Sequence, residues 1–193
     1  MNIFLIISIG LGLLTPIIGI ISVLKGDFKP QRTSRFIFLI LTSIFVASLF
    51  AQGDKNGIYL AILQWGGSVT MFILSLKFGV GGKDKLDFIV LGLAIIAICI
   101  WKITDNPILA LYMSLLADFI GFSPTLLKSF KFPETEDPKY YLSDVFAGLF
   151  SILSLQSIVF SELVFPLYIF FINLLCVTLI LTRMHFKLKI KPI

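Results

Sequence analysis

The chain has 193 residues, of which 58% are hydrophobic and only 14% charged, with 20 phenylalanines and a mean hydropathy of +1.01. That balance excludes a soluble domain of this length and indicates an integral membrane protein. A net charge of +5 would suit a nucleic-acid partner, but the lysines and arginines stand in short clusters between apolar runs, the pattern of membrane topology, and no nucleic acid is expected.

Seven apolar runs can be marked, at roughly 3–24, 35–52, 57–78, 86–103, 107–127, 142–160 and 162–182. Each is near the ~20 residues that carry a helix across ~30 Å of hydrocarbon. Stretches such as IVLGLAIIAICIW (89–101) lack the alternation of barrel strands. The expected fold is all-α, a polytopic membrane protein of seven transmembrane helices.

The first run places Ser8, Gly12, Thr15, Gly19 and Ser22 at spacings of four and three, a small and polar stripe down one helical face. It has no basic n-region and no small-x-small cleavage site, so it is expected to be a permanent helix rather than a signal peptide. The third carries Gln64, Ser68, Met71 and Ser75 at like spacing, with Trp65 and Gly67 beside them. The fourth has no Ser, Thr, Asn, Gln or charged residue between Phe88 and Ile100, which suits a helix that mostly faces lipid. In the fifth, Ser114, Asp118, Gly121 and Thr125 line up, and in the sixth Asp144, Gly148, Ser151 and Ser154 do so less regularly. PETEDPKYY (133–141) precedes the sixth helix, which starts with Asp144 or an earlier cap. The seventh brings Asn173 into FFINLLCVTL (170–179).

Gly and Ser stripes let helices pack closely. Gln64, Asp118 and Asn173 ask for more. A charge near mid-membrane costs at least ~2.5–3.5 kcal/mol on insertion scales, so Asp118 is expected to face the bundle interior, protonated or beside a polar partner or water. The low dielectric there favours the neutral carboxyl and makes Asp118 a candidate for proton exchange. Pro16 and Pro124 each remove a backbone hydrogen bond and are candidate hinges.

The basic residues fix an expected orientation. Lys25, Lys29, Arg32 and Arg35, then Lys77, Lys83 and Lys85, then Lys128, Lys131 and Lys139, and finally Arg183, Lys187, Lys189 and Lys191 all follow odd-numbered runs. Only Lys55 and Lys102 fall on the other side. The positive-inside rule then puts the N-terminus outside and the C-terminus in the cytoplasm.

Chemistry finds little support. Cys99 and Cys176 lie within runs and have no partner at ligand spacing, and the single histidine, His185, stands in the basic tail. Neither a metal nor a cofactor is expected. GVGGKDK (79–85) lacks the spacing of a phosphate loop and reads as a turn. Asp144 and Glu162 are placed near helix ends, which leaves Asp118 without a catalytic carboxylate partner, and an enzyme is not expected.

An internal repeat is faintly visible. LKGDFKP (24–30) and LKSFKFP (127–133) share Leu, Lys and Pro at an offset of 103. Each follows the first member of a group of three runs, and both first members hold a proline after a hydroxyl residue: Thr15 with Pro16, and Ser123 with Pro124. Two such groups face the same way only if a single helix separates them. The expected organisation is therefore a first three-helix bundle (1–82), a linker helix (83–105), a second three-helix bundle (106–183) and a basic cytoplasmic tail (184–193).

These residues and this topology resemble the SWEET and PQ-loop class of transporters, whose halves are parallel repeats. The resemblance implies a substrate near the membrane centre between the bundles, prolines that support rocking between outward-open and inward-open states, and Asn173 in the place of a bundle asparagine. Ile17 and Thr125 stand where the family has glutamine after proline, and the second and sixth runs lack its prolines. Near the position matching Asn173 in the third run stand Gly67 and Ser68, with Gln64 one turn away.

Two functions are expected to compete. One is a transporter or facilitator for a small polar solute, sugar-like or vitamin-like, by alternating access and with a proton as candidate co-substrate. Asp118, Asn173, Gln64, Trp65, Ser68 and Ser114 would bind the solute, and Pro16 and Pro124 would serve as hinges. The other is a non-transporting receptor or assembly subunit on the same scaffold. Short loops and lean tails suggest a bacterial inner membrane, and a homo-oligomer is left open.

Overall fold

The computed structural model describes residues 2–55, 57–82, 85–104, 106–156 and 159–190. Those residues form seven α-helices: α1 (Ile3–Lys25), α2 (Arg32–Gln52), α3 (Gly57–Phe78), α4 (Lys85–Thr104), α5 (Pro107–Lys131), α6 (Pro138–Leu153) and α7 (Phe160–Ile190), with one 3-10 turn at Pro133–Thr135. The fold is all-α, and among the described residues β pairing is limited to an isolated bridge between Gln31 and Val80. The windows Ile3–Lys25, Arg32–Gln52, Gly57–Phe78 and Glu162–Phe186 are long and apolar enough to cross a membrane.

Local chemistry sets the helix ends. The Asn2 side chain accepts the Phe4 N–H, and α1 stops at Gly26, whose φ of 84° is the left-handed conformation that glycine adopts without a Cβ penalty. Asn106 caps α5, with Pro107 in the first turn where its missing N–H costs nothing. Asp137 does the same for α6 ahead of Pro138. That helix therefore begins before the run expected at 142–160 and ends at Leu153, where Ser154 turns its hydroxyl back onto the Ser151 carbonyl. The seventh helix outruns its expected span of 162–182: it absorbs the basic segment from 184 as far as Ile190 and carries Pro166 within it.

Packing closes six helices into a ring. Going round it, α1 touches α3, α3 touches α2, α2 touches α5, α5 touches α7, α7 touches α6, and α6 returns to α1. The backbones of consecutive helices α1 and α2 do not approach closely among the described residues, nor do those of α5 and α6, which meet through the Phe122 and Tyr141 rings. Outside the ring, α4 lies mainly on α5 and partly on α2; its Phe88, Ile89, Ile96 and Ile103 are exposed, while Val90 is buried.

The connections α1–α2, α3–α4 and α5–α6 meet at one end. Arg32 N–H donates to the Val80 carbonyl and Val80 N–H to that of Pro30, while Lys29 N–H reaches the Thr135 carbonyl. Lys128 pairs with Glu136 at 2.8 Å, and Arg183 donates to the Phe130 carbonyl at 3.2 Å. Helices α1, α3, α5 and α7 thus all run toward this end, where the basic clusters collect. Lys83 and Lys191 of those clusters lie outside the described residues.

Two apolar clusters fill the ring. One centres on Ile37, Leu41, Phe45, Leu60, Leu111 and Phe165, the other, nearer the basic end, on Val23, Phe28, Met71, Tyr141, Cys176 and Ile180. Where α6 crosses α7, the close neighbours of a small residue are backbone atoms. A Cβ at Gly148 would stand 2.9 Å from the Phe170 nitrogen and 3.1 Å from the Pro166 carbonyl oxygen, and backbone cannot step aside as a side chain can. Gly148→Ala should therefore destabilise by the ~1–3 kcal/mol typical of overpacking. Gly10→Ala, where a Cβ meets nothing within 4 Å, should not. Thermal unfolding of the two variants in detergent checks this, with a fall of about 2–4 °C per kcal/mol expected for Gly148→Ala alone.

Candidate functional site

Between the two apolar clusters lies a polar cavity of about 50 Å³, lined by residues of α2, α3, α5, α6 and α7. Asp144 is part of its lining. The capped start of α6 at Pro138 puts this residue well inside the helix, and its Oδ1 accepts the Thr15 hydroxyl at 2.8 Å and the Gln64 amide at 2.7 Å. One carboxylate thereby joins α6, α1 and α3. On the other wall, Asp118 of α5 accepts the Tyr168 hydroxyl of α7.

Arg35 completes the charged set. It lies in the first turn of α2, is 4% exposed, and donates from Nη1 to the Tyr140 hydroxyl at 3.1 Å. Its guanidinium sits 5.4 Å from the Phe28 ring centre, 5.6 Å from that of Phe38 and 5.2 Å from that of Tyr140. Ring faces attract a desolvated cation, and these three fix its orientation.

The cavity takes in four of the expected binding residues: Asp118, Asn173, Gln64 and Ser68. The Asn173 amide donates to Ile169 of its own helix at 2.9 Å. Ser114 is buried one turn from Asp118 but does not reach the cavity, and Trp65 faces outward at 42% exposure, its indole N–H donating to Ser43 at 3.0 Å. Neighbours in a helix sit about 100° apart, so a face that turns Gln64 inward turns Trp65 away. Pro16 lies within α1, half-buried toward Gly67 of α3. Pro124 lies within α5 and borders a second, wider cavity of about 600 Å³ at the basic end.

Asp144, Arg35 and Tyr168 were not among the expected binding residues. Asp-Pro ahead of a helix is a start signal, and applied at Asp137 it would have moved Asp144 away from the helix end. The offset of 103 that relates the two loops also carries Thr15 onto Asp118 and Ser22 onto Thr125, and all four are buried. No comparable signal existed for Arg35, which reads in sequence as one more basic loop residue.

Comparison of the chain with protein-family models, with curated proteins and with solved structures finds no match.

Removing either donor to Asp144 should loosen three helices at once. Thr15→Val and Gln64→Leu should each cost about 0.6–1.7 kcal/mol, the range for hydrogen bonds between membrane helices. Because both act on one oxygen, the double variant should depart from additivity. Melting temperatures of the four proteins in one detergent measure the departure.

Proposed function

We propose that the chain is an integral membrane carrier or facilitator for a small polar solute, working by alternating access between helices α1–α3 and α5–α7, with α4 as linker. The observation that carries this reading is the polar cavity itself. Two carboxylates, a guanidinium and two amides are gathered where an apolar protein would place leucine, and they are held by helices of both triplets. Polar groups inside a membrane bundle are costly and mark solute or ion pathways.

The ring order supports the same reading, since in each triplet the third helix packs between the first two. This agrees with the repeat suggested by the two Leu-Lys loops and with the resemblance to the SWEET and PQ-loop class. In this proposal residues 1–82 and 106–183 are the moving bundles, 83–105 joins them, and the N-terminus faces outward from a bacterial inner membrane. Asp118 would carry the coupling proton, and Pro16 and Pro124 would serve as hinges; Pro166 is a third break inside a helix.

A receptor or assembly subunit on this scaffold is favoured by one observation: both carboxylates already hold protein donors. Uptake separates the two. Proteoliposomes offered sugars, vitamins and amino acids, with and without an inward proton gradient, should accumulate at least one solute, whereas a receptor or scaffold would accumulate none. Asp118→Asn should lower gradient-driven uptake at least tenfold. Unchanged gradient-driven uptake would remove the proton from the proposal.

A further inference from the structure

Arg35 is poorly matched to its surroundings if the cavity takes a neutral solute. It is 4% exposed, its Nε is buried without an acceptor, and among the described residues it joins no ion pair, the acidic Glu136 being paired with Lys128 instead. It also sits in the first turn of α2, the positive end of the helix dipole, with no acidic residue in that turn. Three ring faces and one phenol hydroxyl hold the guanidinium in place. None of them supplies the paired oxygens that its fork geometry accepts.

Asp118 and Asp144 line the same cavity. A molecule placed there meets a fixed cation and two carboxylates, each of which has acceptor sites beyond the donors it already holds. About 50 Å³ accommodates roughly three to five waters. That approaches the smallest amino acids in atom count and falls well short of a hexose.

From this arrangement we infer that the cavity is a binding site for a small zwitterion of the α-amino-acid type. Arg35 holds the carboxylate of the solute, and the carboxylates of Asp118 and Asp144 face its ammonium group. The inference rests on reading the cavity as a solute site and adds to it the substrate class and the residue that selects it.

The test is binding of glycine and L-alanine, their C-terminal amides, and glucose to the purified full-length chain, followed by calorimetry and ligand-induced thermal shift. The amino acids should bind, the amides at least about 30-fold more weakly, and glucose not at all, as expected when one side of a buried charge pair is removed. In Arg35→Gln the preference for acid over amide should collapse to about one. Arg35→Lys should retain part of it, and the comparison of ligands on the unaltered protein stands even if a variant fails to fold. Failure of both amino acids to bind, glucose binding as well as alanine, or an intact acid preference in Arg35→Gln would each overturn the assignment. Uptake by proteoliposomes separates this outcome from the broader reading. Glucose uptake that is indifferent to Arg35→Gln removes the zwitterion and leaves a carrier, whereas alanine that binds without being taken up leaves the site and removes the carrier.

Discussion

Asp144 accepts hydrogen bonds from Thr15 of α1 and Gln64 of α3 through a single oxygen, and much of the bundle's arrangement turns on that junction. In hydrocarbon a carboxylate has no water to fall back on, so its partners must come from other helices, and those helices must approach closely. The close approach is supplied by the stripe Ser8, Gly12, Thr15, Gly19 and Ser22, all buried. At Gly12 and Gly19 the neighbours Leu63, Met71 and Tyr140 come so near that a Cβ would meet them at 2.8 Å. Small residues and polar residues thus serve one purpose: the first bring the helices together, the second give them something to share.

A similar division of labour operates between α2 and α5. Ser34 donates to the Gly121 carbonyl at 2.9 Å, and a Cβ at Gly121 would stand 2.9 Å from Ile37. Ser8 meets the Ala147 carbonyl at 2.8 Å and Ser143 that of Leu11 at 3.1 Å, between α1 and α6. Hydroxyls against backbone carbonyls fasten these two interfaces, α1 with α6 and α2 with α5, and the cavity opens between them. Its charged groups are therefore supported from several sides, which is the condition for holding a solute group in a defined orientation.

What could be read from the sequence was periodic. Stripes of small and polar residues at helical spacing gave the buried faces of α1 and α5, including Ser114, Asp118, Gly121 and Thr125, because the period of a helix survives any detail of tertiary contact. Apolar runs gave the helices themselves. What could not be read depended on where a helix begins or on which way one residue turns. An apolar run starting at 142 points to a helix end near Asp144, whereas the cap at Asp137 starts the helix at Pro138. Arg35 counts toward charge asymmetry by its sign alone, and nothing local in the sequence announces that three aromatic rings will enclose it. Trp65 is adjacent to Gln64 in sequence, but the helix turns the two to different faces.

The bond between Thr15 and Asp144 spans 129 residues, and this separation bears on how the chain is made. At ~5–20 residues per second of synthesis, the 129 residues represent roughly 6 to 26 s between the making of Thr15 and that of Asp144. Until α6 exists, the partner available to the hydroxyl stripe of α1 is α3, which is made earlier and packs on it in the finished bundle. Ring closure thus sets a delay into the making of the chain: its first helix stays without its last partner until about three quarters of the sequence has been synthesised.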